Sequence, residues 1–131
     1  MKLRLFIAII ITGMLTSCFN GNVRRQMANA IRQSQKYVAD QDFKHAIGYI
    51  EIYKLRFGKY PESLYDLKYI GAFDSTIFHS VQYEKIVDGY KLDLTSDYTT
   101  LKGKTEGQII LKYPDEFWQG LGCLKSNLKN N

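Results

Sequence analysis

The sequence predicts an α+β fold, a long N-terminal helix packed on a small antiparallel sheet, and three observations carry that reading. From Val23 to Phe57 no proline occurs and apolar residues return at helical intervals. Between Val81 and Leu94 the pattern switches to the alternation of strands, on either side of Asp88 and Gly89. The length of 131 residues, 45% of them hydrophobic, suits one core and no more.

In chain order, Lys2 and Arg4 make a short positive region, followed by an apolar run from Leu5 to Met14 broken only by Thr12 and Gly13. That is the layout of an export signal. The run is too short for a membrane-spanning helix, which needs about 20 apolar residues to cross the hydrocarbon. It ends in Leu15, Thr16, Ser17 and Cys18, which resemble the bacterial lipobox. The resemblance implies that residues 1–17 are a signal peptide and that Cys18 becomes the lipidated first residue of the mature protein. Residues 18–22 then form a tether too brief and too rich in Gly and Asn to begin an element, and a single domain spans 23–131. The expected location is the cell envelope, with the membrane as a partner through the lipid. Phe19, in place of an aspartate after the cysteine, points to the outer membrane facing the periplasm in a Gram-negative host.

The first element is a helix over Val23 to Phe57. Its apolar positions are Met27, Ile31, Val38, Phe43, Ala46, Ile47, Ile50, Tyr53 and Phe57. The early stripe is thin, and Asp40 to Asp42 are expected to break or bend it. Gly58 stands where a helix ends in a residue of positive φ. Pro61 drives Tyr60 toward an extended backbone, and Glu62 to Leu67 form a short second helix, stopped by Gly71 and folded back on the first. Val81 to Ile86 and Tyr90 to Leu94 are two strands of a hairpin, with Asp88-Gly89 as its turn. Ile109, Ile110 and Leu111 suggest a third strand over Gln108 to Tyr113, closed by Pro114. Phe117, Trp118, Leu121, Cys123 and Leu124 are too apolar for a loose end and are expected to pack on the domain. After Lys125 the chain reads as a disordered tail.

The residues Tyr53 and Lys54, then Gly58, Lys59, Tyr60 and Pro61, then Glu62, Ser63, Leu64 and Leu67 resemble the junction between helix and head in type IV pilins and type II secretion pseudopilins. In those families a long helix ends in a Gly-x-Tyr-Pro turn followed by Ser-Leu and a further Leu. The resemblance implies a pilin-like head in which Leu64 and Leu67 bury the turn against the helix and the hairpin. The chain departs from those families at its start. Its apolar segment is a removable leader, and no acidic residue precedes Asp40, so assembly in the manner of a pilin is not expected. The calcium site of major pseudopilins has its nearest counterpart in Asp93 and Asp97, without a dense set of oxygen ligands around them.

The remaining chemistry is sparse. His45 and His79 stand in no metal spacing, and no metal or cofactor is expected. Asp40 with Asp42, and Asp115 with Glu116, read as solvated charge or helix-end residues. No phosphate loop, nucleophile elbow or cysteine with a base is present, so the chain is not expected to be an enzyme and no small-molecule substrate is evident. The net charge of +5 is spread among acidic residues rather than gathered on one face, which disfavours nucleic acid. With Cys18 lipidated, Cys123 has no disulfide partner and reads as a small buried apolar residue. The ten tyrosines are expected mainly in sheet and core packing. The functional expectation is a non-catalytic envelope lipoprotein with a protein partner, accessory to a secretion or pilus assembly; the alternative is a protective lipoprotein that binds and inhibits a toxin or hydrolase.

Overall fold

The computed structural model describes residues 21–68, 71, 77–95 and 111–129. The fold is α+β. Helix α1 (Gly21–Phe57) is followed by a 3-10 turn (Leu64–Asp66), a short helix α2 (Ile77–Ser80), strands β1 (Val81–Ile86) and β2 (Gly89–Leu94), a one-turn helix α3 (Asp115–Trp118) and strand β3 (Cys123–Lys125). The chain divides into two units after Gln33, within α1. Among the described residues no helix is long and apolar enough to cross a membrane.

In the unit from Ser34 onward, α1 buries Ala39, Phe43, Ala46, Ile47 and Ile50, a spacing of three and four that places them on one face. They join Leu64, Leu67, Ile77, Val81, Tyr90, Leu92, Leu94, Leu111, Tyr113, Trp118, Cys123 and Leu128 in one core. Asp40 to Asp42 do not break the helix, which runs through them as α-helix. The reason is that their carboxylates have partners in the fold. Asp42 is buried and accepts a hydrogen bond from the Ser80 hydroxyl at 2.5 Å. Asp40 accepts from the Tyr113 hydroxyl at 2.8 Å and from Lys44 at 2.7 Å.

The hairpin forms with Ile86 opposite Gly89 and Val81 opposite Leu94. Its two loop residues are therefore Val87 and Asp88, one position earlier than the Asp-Gly turn expected. Gly89 serves close approach instead, because a Cβ there would collide with the Gly122 carbonyl oxygen. The third strand also differs from expectation. Leu111 and Tyr113 are buried but lie outside any strand, and residues 108–110 fall outside the described residues. The third strand is Cys123–Lys125, which pairs with β2 in parallel, so the order is β1-β2-β3 and the sheet is mixed rather than wholly antiparallel. The short second helix reduces to the 3-10 turn, tied off by the Asp66 carboxylate, which accepts from the backbone N–H groups of Glu62 and Ser63, each at 2.9 Å.

Residues 126–129, expected as part of a free tail, are packed. The Asn127 side-chain amide accepts from the Leu94 N–H at 2.9 Å and donates to the Leu94 carbonyl at 2.8 Å, while its backbone N–H donates to Asp93. One side chain thus takes the place of a strand residue where β3 has ended. Leu128 is buried, and the Lys129 ammonium sits 5.0 Å from the centre of the Trp118 ring.

Candidate functional site

The junction motif is the best defined local structure outside the core. Gly58 ends α1 with φ of +72°, and its N–H donates to the Lys54 carbonyl at 2.9 Å. Lys54 closes the same turn from the other side: its ammonium donates to the Gly58 carbonyl at 2.8 Å and lies 5.1 Å from the centre of the Tyr60 ring. Pro61 is fully buried, and its carbonyl accepts from the Tyr83 hydroxyl at 2.6 Å. Leu64 and Leu67 enter the core with the helix and the hairpin strands. Gly58, Tyr60, Pro61, Leu64 and Leu67 therefore act together as a corner that fixes where the chain leaves the helix.

Behind that corner stands a residue that sequence reasoning missed. Glu51 Oε1 accepts from the Tyr90 hydroxyl at 2.9 Å and from the Gly122 N–H at 2.8 Å, and its charge bears on the neighbouring Tyr60 phenol. One side chain on α1 thereby joins the central strand and the segment that leads into β3. The only hint in the sequence is its isolation as a lone carboxylate between Ile50 and Ile52. The tyrosines around it hold their protons strongly. Burial, reinforced by the Glu51 charge, pushes Tyr60 and Tyr90 above the usual phenol range, and burial does the same for Tyr83. Tyr113 is raised by burial and by its hydrogen bond to Asp40. These groups are neutral donors in a folding framework.

The exposed side of the junction is a groove of about 480 Å³ lined by Tyr53, Arg56, Phe57, Asp66 and Lys68. The Tyr53 and Phe57 rings stand 4.5 Å apart, and Phe57 is 57% exposed. Aromatic faces flanked by cations suit a polypeptide surface, since each ring offers area at little cost in conformational freedom. Of the sequence-predicted residues, Tyr53 alone lines this groove, and Cys18 lies outside the described residues. Cys123 is wholly buried, and burial pushes its thiol up to about 11 despite the nearby Lys129 charge. His45 and His79 are exposed and far apart in the fold's order of elements. Asp93 is engaged by Lys91 at 3.0 Å and by the Asn127 N–H, and Asp97 lies outside the described residues. Among the described residues no three metal-ligating side chains come together.

No family model, no curated protein and no solved structure matches this chain.

Proposed function

We propose that the protein is a non-catalytic lipoprotein of the cell envelope, tethered through Cys18, whose folded head docks a protein partner as an accessory of a secretion or pilus assembly. The observation that supports it is the groove at the end of α1. Tyr53 and Phe57, whose rings meet at a tilt, line it with Arg56, Asp66 and Lys68, while Pro61, Leu64 and Leu67 of the junction motif are committed to the core. The Leu-Thr-Ser-Cys sequence supports the anchor. The motif from Tyr53 to Leu67 supports the choice of assembly.

The test combines two measurements on the full chain expressed in an exporting bacterium. Intact mass of the membrane-extracted protein should show a chain that begins at Cys18 and carries a lipid adduct. Capture from solubilised envelope membranes, run side by side with Phe57→Ala and Arg56→Glu, should yield a partner that the variants lose. The same proteins recovered with all three chains would remove the groove from the reading, and a mature terminus elsewhere would remove the anchor.

A further inference from the structure

Trp118 is the one tryptophan of the chain. It meets Tyr113 edge to face with ring centres 5.7 Å apart, and among the described residues Tyr113 is the only tyrosine in ring contact with it. The Tyr113 hydroxyl donates to Asp40 Oδ1 at 2.8 Å, while Lys44 holds Asp40 Oδ2 at 2.7 Å. The oxygen that faces the phenol is therefore not the one committed to the ammonium. Phe43 and Phe117 stack on the Tyr113 ring, which is only 7% exposed, whereas the Asp40 side chain, at 23%, reaches water. Two ammonium groups bias the rings. Lys129 lies 5.0 Å from the centre of Trp118 and Lys44 lies 5.6 Å from that of Tyr113. Each is attracted to an electron-rich face and repels a ring that turns positive. An indole that has lost an electron is penalised in this place, but a phenol that loses an electron and a proton together bears no charge.

We propose that Trp118, Tyr113 and Asp40 form a relay for an oxidising equivalent delivered by a diffusible one-electron oxidant of the radical class. The oxidant takes one electron from Trp118 and becomes an anion, leaving the indole radical cation. Tyr113 returns an electron to the indole while its hydroxyl proton passes along the existing hydrogen bond to Asp40 Oδ1. The products are an intact tryptophan, a neutral phenoxyl radical and a neutral carboxylic acid, so charge is balanced and no heavy atom has to travel. At rest the pair is silent. Burial and the bond to Asp40 hold the Tyr113 proton in place well above the usual phenol range, and the proton moves only with the electron. The single tryptophan is thereby restored, and the unpaired electron rests on a ring closed to solvent.

The experiment is pulse radiolysis of the purified full chain in azide solution, with azidyl radicals as the oxidant and the indolyl and phenoxyl absorbances as the readout. The indolyl band should decay as the phenoxyl band rises, in a first-order step whose rate does not change with protein concentration. Tyr113→Phe keeps the ring stack and removes the electron donor, so the conversion should be lost and the indolyl radical should persist. Under sustained oxidation in air that variant should also accumulate kynurenine at Trp118, read by peptide mass, faster than the native chain. Asp40→Asn keeps a hydrogen-bond acceptor without the base and should slow the conversion. Heavy water should slow it in the native chain, a readout that needs no variant to fold. An unchanged conversion in Tyr113→Phe, or a rate that climbs with protein concentration, would overturn the relay. An undiminished rate in both Asp40→Asn and heavy water would overturn Asp40 as the proton acceptor.

Discussion

At the scale of single residues, the fold depends on a few side chains that do two jobs at once. Glu51 is the clearest, since its carboxylate joins Tyr90 and Gly122. Glu51→Ala should destabilise the unit from Ser34 onward by about 2–3 kcal/mol, because it strands a buried phenol and a backbone donor. Glu51→Gln, which keeps an acceptor oxygen, should cost clearly less; equal losses in urea melts of the two variants would show that the charge rather than the geometry matters. Gly58 makes a different prediction. No atom lies within 4 Å of where its Cβ would be, so Gly58→Val meets no clash and pays only for holding a β-branched residue at positive φ. The expected loss is about 1 kcal/mol or more, and an unchanged melting temperature would place the helix end elsewhere. Cys123 should label with a maleimide at pH 8 far more slowly in the folded protein than in urea, since its thiol is both enclosed and held protonated.

At the scale of elements, what was legible in the sequence was what is local. The helix shows its period, Gly58 its stop and Pro61 its corner, and the alternation from Val81 to Leu94 fixes the hairpin within one residue. What was not legible is non-local. Strand β3 has three residues and no alternation to announce it, and it forms because Tyr90 and Lys91 offer their free edge. The run at Ile109 to Leu111 looked more like a strand because hydrophobicity alone does not say which segment wins that edge. The acidic residues of α1 were misread for a related reason: a carboxylate on a helix defaults to solvent, and only the fold supplies Ser80 and Tyr113 as partners for Asp42 and Asp40. The groove was half visible, through Tyr53, because its other walls come from the helix end and the residues after Leu64. The end of β3 gives a prediction of its own. Asn127→Ala removes both side-chain bonds to Leu94 and should cost about 1–2 kcal/mol, measured as a lower urea midpoint. A silent substitution would return residues 126–129 to the status of a loose tail.

For the whole molecule, the raised tyrosines and cysteine set the pH range in which the fold persists. A group whose pKa is raised on folding keeps its proton in the native state after the unfolded chain has lost it. The native state then binds more protons, and stability falls as pH rises through the unfolded value. The decline should begin near pH 9 with Cys123 and steepen above about 10 as Tyr83, Tyr90 and Tyr113 join it. Thermal melts from pH 7 to 11, followed with the phenolate absorbance, check this: some tyrosines should ionise only as the protein unfolds. A flat stability profile across pH 10 would mean that these rings are wetter than their burial implies. The parallel pairing of β3 with β2 has a further consequence for the order in which the chain can acquire its structure. Glu51 waits for Gly122, and Leu94 waits for Asn127, so the central strand has a vacant side until residues 122–129 have been delivered. A polypeptide passing through a translocation channel from its N-terminus would stay open, and threadable, until nearly all the described residues were across, and closure would then come late and in one step.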